Sequence, residues 1–481
     1  MYFVIEPRGS AIGFTVCIGR WSVPLVACSL ILASSTALAE EPSPGTQQTP
    51  MVVPTPSAPV EPAAVVKSSP VGPTGMIRLA DDTWLRFGFQ LQFWFKAAQD
   101  RVKQPDGSDG GYAMDFYCRR CRFIATGSVV RNVSFMLLFE SGDLGKADPN
   151  SLTGAKAFGR LNPPVLLDAW GSLRLHNAFT ISAGNILLPL TRNGMQPTTT
   201  YLSIDNANVD TTPALQGNTV ALRDLGAQIS GFLFGDHLEY RVGLFQGTRA
   251  PAMMTADIPP ITTQNASHNM FRTVAMLQLN LWDPEKGYFN GGHYFGRKKV
   301  LGVSGSFDYQ KLGTDDFPAG ISKDPYFGIS SAAFINYPLT GAADPLNGGD
   351  ELVALAQFGY YDGGGKIPVD ITMPGTYPAV IRQINLLGEA AYYNKNLKLS
   401  LFGKFEMRRI YAAYPDEALP KANNNAMWIA GGLKYYVAEQ MMNFGLQYER
   451  VLFPDAFYPG APSTTQSATH NVTVQMQLFL Y

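Results

Sequence analysis

From Trp84 to Lys96 the chain reads WLRFGFQLQFWFK, and its side chains sort by parity. Leu85, Phe87, Phe89, Leu91, Phe93 and Phe95 fall on one side; Trp84, Arg86, Gly88, Gln90, Gln92, Trp94 and Lys96 fall on the other. A strand sends alternate side chains to opposite faces, so this segment is a strand with one hydrocarbon face and one polar, aromatic-tipped face. The alternation recurs to the C-terminus. It predicts strands over 84–96, 115–126, 131–140, 165–175, 178–186, 223–233, 237–247, 271–281, 299–310, 325–336, 350–361, 382–393, 396–409, 426–438, 441–450 and 469–481. In 396–409, Leu397, Leu399, Leu401, Phe405 and Met407 oppose Lys398, Ser400, Lys404, Glu406 and Arg408. In 426–438, Met427, Ile429, Leu433, Tyr435 and Val437 lie opposite Lys434. The last strand sets Val472, Val474, Met476, Leu478 and Leu480 against Thr473, Gln475 and Gln477.

The connections alternate in length. Short ones are His176-Asn177, Gly235-Asp236, Asn394-Lys395 and Ala438-Glu439-Gln440; long ones include 97–114, 187–222 and 248–270. Short turns at one end and long loops at the other, around an even strand count, predict an all-β fold: a transmembrane antiparallel β-barrel of about 16 strands, lipid outside and a wet lumen inside. The connections 282–298 and 337–349 are long for the turn end. Burying an ionised group in hydrocarbon costs several kcal/mol. The outward rows stay clear of charge except near their ends, where Arg409 and Arg450 can snorkel.

Composition narrows the choice. Charged residues are 16% and aromatics 12% of the chain, and the net charge is −1, which gives no electrostatic case for nucleic acid. Mean hydropathy is −0.02, and past residue 40 no apolar run long enough for a membrane-spanning helix occurs. Residues 1–39 read as a signal peptide, with Arg8 and Arg20 ahead of an apolar stretch from Val23 to Leu38 and an Ala37-Leu38-Ala39 cleavage site. Leu25-Val26-Ala27-Cys28 makes a weaker lipoprotein box, because apolar residues continue beyond it. Residues 40–75 are low-complexity Pro/Ser/Thr/Ala sequence, a disordered Pro-rich periplasmic linker reaching up to about 110 Å at about 3.1 Å per residue. The barrel domain is then 76–481. Cys118 and Cys121 form CRRC inside a strand; on regular extended backbone they face opposite sides, about 10 Å apart, and read as two independent thiols.

The chain resembles the phosphate-selective porin O/P family of bacterial outer-membrane porins over roughly residues 76 to 481. The resemblance rests on the arginine-rich Tyr117-Cys118-Arg119-Arg120-Cys121-Arg122-Phe123, on Ile77-Arg78-Leu79 and Leu85-Arg86-Phe87-Gly88, on Trp282-Asp283-Pro284 with Gly287-Tyr288, and on Gln475-Met476-Gln477-Leu478. A chain ending in an aromatic, here Tyr481, also looks like such barrels. The resemblance implies a trimeric channel with an inward-folded loop and a path lined by arginines and lysines.

The expected pore-lining and solute-binding residues are Arg86, Lys96, Arg120, Arg122, Arg174, Arg192, Arg241, Arg272, Lys404 and Lys434. The inward set also holds Glu140, Asp168, Asp224, Glu239, Asp308, Glu351, Glu389, Glu406 and Glu449, so the two signs nearly balance. Charge rings set selectivity in pores. Arg120 and Arg122, with Arg86 on the adjoining strand, read equally as an anion path or as a wall stiffened by pairs such as Arg122 with Glu140. Loop 187–222 is expected to fold inward as a weakly charged eyelet offering Thr198, Thr199, Thr200, Tyr201, Asn206 and Asn208, with Arg192 opposed by Asp205 and Asp210.

No HExxH, CxxCH or GxSxG occurs, the five histidines His176, His237, His268, His293 and His470 are scattered, and GYYDGGGK at 359–366 opens no helix. No enzyme, metal or cofactor is expected. The expected function is a passive porin for small hydrophilic solutes or ions in the bacterial outer membrane, its partners the lipid bilayer, small solutes or anions and two further copies in a homotrimer. The alternative is a barrel serving as sheath, receptor or adhesin without an open pore.

Overall fold

The computed structural model describes residues 2–8, 11–18, 21–22, 76–146, 164–210, 222–247, 270–311, 325–340, 343–362, 383–410, 425–453 and 467–481. The chain divides into two units, Met1–Ser69 and Pro70–Tyr481. In the first, β1 (Tyr2–Arg8), β2 (Ala11–Ile18) and β3 (Trp21–Ser22) form an antiparallel sheet in that order. The rest of the expected signal segment and the tether at 40–75 lie outside the described residues, as do His268 and the second half, 363–366, of GYYDGGGK.

The second unit is an all-β, sixteen-stranded antiparallel closed barrel preceded by a short strand. The short strand is β4 (Met76–Arg78). The staves are β5 (Trp84–Gln99), β6 (Tyr112–Val130), β7 (Val133–Leu144), β8 (Val165–His176), β9 (Phe179–Leu187), β10 (Arg223–Leu233), β11 (Leu238–Phe245) and β12 (Arg272–Asn280). They continue with β13 (Val300–Gln310), β14 (Tyr326–Pro338), β15 (Glu351–Asp362), β16 (Gln383–Asn394), β17 (Leu399–Ile410), β18 (Ala426–Ala438), β19 (Met442–Leu452) and β20 (Ala468–Leu480). Each pairs with the next, and β20 closes on β5 from Asn471↔Ala98 to Leu480↔Phe89. Every strand expected from the alternation is present, most within two residues of its expected ends. The clearest difference is the β5–β6 hairpin, whose pairing extends to Gln99↔Tyr112.

The parity reading also holds. Phe89, Leu401 and Ile429 on the outward row are 41%, 52% and 46% exposed, whereas Gln90, Gln92 and Lys404 on the inward row are 2%, 0% and 4% exposed. A sheet with hydrocarbon outside and amides and charges inside is stable only with lipid around it, because burying polar groups without partners is costly and exposing a hydrocarbon belt to water is equally so.

One departure from regular pairing matters. Gln92 pairs with Arg120, but Phe93 pairs with Cys118, leaving Arg119 as an extra residue. A bulge of this kind shifts side-chain phase by one. Cys118 and Cys121 therefore both lie opposite outward residues of β5, Phe93 and Leu91, and not on opposite faces as regular geometry requires. Both are free thiols.

Candidate pore constriction

Two segments enter the lumen, one from each end. From the long-loop end, residues 188–210 fold inward after β9; 211–221 lie outside the described residues. Leu202, Ile204 and Val209 of this loop pack on lumen-facing Val300, Phe334, Val353 and Leu387. Its backbone is tied to the wall: Lys434 Nζ donates to Tyr201 O (2.6 Å), Asn385 Nδ2 to Val209 O (3.0 Å), and Val209 N donates to Glu406 (3.1 Å). The inward rows thus carry apolar patches under the loop, which a uniformly wet lumen would not need.

From the short-turn end comes the connection between β12 and β13. Arg241 donates to Tyr288 O (2.9 Å) and Gly287 O (2.8 Å), and Tyr288 Oη donates to Asp168 (2.9 Å). Glu285, Asn290, His293 and Phe295 are buried. The other overlong connection braces this one, with Gly349 N donating to Phe295 O (2.8 Å) and Asp344 N to Gly296 O (3.1 Å). Their length is explained: both are lumen-filling or lumen-bracing segments, not simple turns.

The two intruding segments meet. Arg192 and Glu285 form a bidentate pair at 2.5 and 2.8 Å, each side chain 2% exposed. Asn290 N donates to Met195 O (3.1 Å) and Gly292 N to Thr200 Oγ1 (3.1 Å). A Cβ on Gly292 would stand 2.0 Å from Thr200 O, so only glycine permits this approach.

Against the β5–β8 wall the filling leaves a cavity of about 850 Å3. The bulge turns Arg119 inward beside Arg120. Arg119 reaches Asp143 (3.1 Å) and Asp205 (3.3 Å), and Arg120 reaches Asp205 (2.5 Å) and Gln92 Oε1 (2.7 Å). Arg122 holds Glu140 (2.7 and 2.9 Å) and Thr198 Oγ1 (2.7 Å), and Arg223 holds Asp168 (3.1 Å). Burial alone would raise the Asp205 carboxyl, but Arg119 and Arg120 outweigh it and hold that group well below the usual carboxylate range. Among the residues lining the cavity, four arginines, Arg119, Arg120, Arg122 and Arg223, face two carboxylates, Glu140 and Asp205.

The other expected site residues are dispersed. Arg192 pairs with Glu285 and stacks on Phe334 (4.0 Å), not with Asp205 or Asp210; Asp210 instead accepts from Gln357 (2.7 Å). Arg241 pairs with Glu239 (2.7 Å) and Arg272 with Asp308 (2.5 Å), both on the wall. Lys404 pairs with Glu406 (2.7 Å), and it and Lys434 lie beneath the loop. Lys96 is half-buried opposite Asp115 and Thr473. Arg86 stacks on the Tyr481 ring (4.2 Å), and Arg174 is exposed at its turn, bonded to Asn177 (2.6 Å). The structure thus brings Arg120 and Arg122 to one cavity and leaves Arg86 outside its lining, two strand steps beyond the level of Arg122.

His293 Nδ1 meets Glu351 Oε1 at 2.7 Å, but the same carboxylate holds Gly296 N (2.9 Å) and Asn336 Nδ2 (2.9 Å), so the pair fastens the segment to β15. Among the described residues no group of three or more His, Cys, Asp or Glu is placed to hold a metal ion.

No protein-family model matches this chain, and no curated protein does. Among solved structures it is similar to Pseudomonas putida OprB, with a TM-score of 0.51 and 8% identity over 82% of this chain and 94% of that one. It is also similar to the outer membrane channel DcaP of Acinetobacter baumannii (TM-score 0.47, 9% identity, 84% of this chain and 99% of that one). A third similar structure is Salmonella typhi OmpF in complex with daunomycin (TM-score 0.48, 14% identity, 83% and 98%). The first of these likenesses shows the fold, a porin-type β-barrel. The resemblance to the phosphate-selective O/P family finds no matching family model, and the coarser statement, a porin-like barrel, is what holds.

Proposed function

We propose that the chain is a passive porin of the bacterial outer membrane, carrying small hydrophilic solutes or ions down their gradients with a preference for anions. Solute passes without any bond being made or broken. In this reading the short turns face the periplasm, residues 1–39 are the secretory signal, 40–75 the tether, and the assembly is a homotrimer, the last by family resemblance alone. The observation that carries the preference is the lining of the cavity, four arginines against two carboxylates. Fixed charge at a narrow point biases which ions enter. That these arginines are also ion-paired does not cancel the bias, because the guanidiniums outnumber the carboxylates in the lining and Asp168, the partner of Arg223, is fully buried outside it. The sheath alternative is disfavoured, since the lumen is occupied by the chain's own segments where a partner protein would have to lie.

The test is bilayer electrophysiology. Changing Arg120 and Arg122 together to Ala should lower the anion/cation permeability ratio, read as a reversal potential in a salt gradient. An unchanged reversal potential rejects the proposal.

A further inference from the structure

Below the arginines the same cavity changes character. One strand step past Arg122, about 6.8 Å along β6, stands Ile124, with Met136 and Leu138 beside it on β7. Trp170 of β8, Phe289 of the intruding connection and Phe479 of β20 complete an apolar cluster. These residues lie on the lumen side, where Phe289 packs against Ile124, Met136 and Leu138 and buries most of their area; what the lining leaves open to the cavity is still mainly apolar. For a pore that passes only hydrated ions such a surface is a disadvantage, because apolar area in contact with water is unfavourable. Unpartnered polar atoms line the cavity as well: Gln90 Nε2 and both amide atoms of Gln196, on residues 2% exposed, and Trp170 Nε1 at the apolar end.

We infer that this cavity is a binding site for a small amphiphilic carboxylate, its head group at Arg120 and Arg122 and its ring or hydrocarbon body against Ile124, Leu138, Trp170 and Phe289. The spacing fits: a carboxylate on a phenyl ring spans about the distance of one strand step. The volume of about 850 Å3 accommodates such a ligand with accompanying water. The chemistry fits as well. Arg120 already donates to Gln92 and Asp205, and Arg122 to Glu140 and Thr198, so the head group gains only the N–H donors that these leave over. Binding is then weak at the charged end and supplemented at the apolar end, which suits a pore that must release what it binds. A phosphate ion, with four polar oxygens and no apolar surface, uses only half of this site.

This inference rests on the anion reading above, and the experiment separates the two. The full chain is reconstituted in planar bilayers and carries a chloride current, to which benzoate, acetate or inorganic phosphate is added. Benzoate should interrupt the current at about tenfold lower concentration than acetate, the ratio that partial burial of a ring supplies, and phosphate should resemble acetate. Leu138→Gln, and separately Phe289→Ser, should bring the benzoate-to-acetate ratio toward one. Equal concentrations of benzoate and acetate in the unaltered protein overturn the inference even where the reversal potential is anionic. A cationic reversal potential overturns the anion reading and this inference with it. An undiminished ratio in both variants assigns the preference to another surface and also overturns it.

Discussion

Glu285→Ala tests whether the two lumen-filling segments hold each other. Glu285 accepts both inner donors of Arg192 (2.5 and 2.8 Å), Gln278 Nε2 (3.1 Å) and the Tyr294 hydroxyl. Without it, Arg192 keeps only Gly291 O (2.7 Å) and the face of Phe334, with its side chain 2% exposed. Breaking one side of a buried pair costs about 3–5 kcal/mol, because an uncompensated charge is left behind. The hydrogen bonds between staves do not involve this pair, so the cost falls on the docking of loop 188–210 against the connection between β12 and β13. It corresponds to a shift of about a hundred- to several-thousand-fold in the ratio of docked to released loop. Single-channel recording should therefore show higher mean conductance and more open-channel noise. Replacing both partners, Arg192→Met with Glu285→Leu, should restore a quiet channel, since a well-packed apolar pair stands in for a buried ion pair at little cost. A Glu285→Ala channel with the original conductance and noise would refute the reasoning.

Three further outcomes follow from the same geometry. Asp205→Asn removes a charge shared by Arg119 and Arg120, so the anion/cation permeability ratio should rise in a salt-gradient reversal measurement; a fall would contradict the assignment of those arginines to the path. Gly292→Ala drives a Cβ toward Thr200 O, 2.0 Å away, and should raise channel noise as Glu285→Ala does, whereas a silent substitution would place the segments further apart than described. Burial pushes the Asp210 carboxyl up to about 7, with Gln357 opposing and Glu406 and Glu389 reinforcing the rise. The docked loop therefore holds a proton that a released loop gives up: docking is strongest below the ordinary carboxylate value of about 4, weakens as pH climbs from there to about 7, and is constant above. Noise should rise over that window, and Asp210→Asn should flatten the dependence.

The staves were legible because a two-residue period survives along each of them and lipid enforces it on one face. What fills the lumen was less so. Inward Val353, Leu355 and Phe334 mark where the loop lies down, and a two-residue period does not say what covers an inward apolar residue. The length of 282–298 pointed to something other than a turn, but no periodicity says that an irregular segment goes inward; its Glu285 and Tyr288 find partners far away in sequence. Arg119 was missed although it left a signal. Regular alternation sets it on the hydrocarbon face in mid-strand, where a charge is costly. A bulge is the inexpensive remedy, and it moves Cys118 and Arg119 together.

The short strand β4 has a consequence for how the protein is made. Met76–Arg78 pairs with Arg86–Trp84 in line with β20, whose Leu480 pairs with Phe89, so the seam is completed by residues from both extremities of the barrel sequence. Gln92 and Gln477, bonded across that seam at 2.7 Å, are separated by 385 positions. Joining ends so distant forfeits about 5 kcal/mol of chain freedom beyond a constant. The opening staves consequently stay unlatched until the final residues emerge, and a chain shortened by its last strand is left with a raw edge at each side, which favours sticking to other chains over insertion.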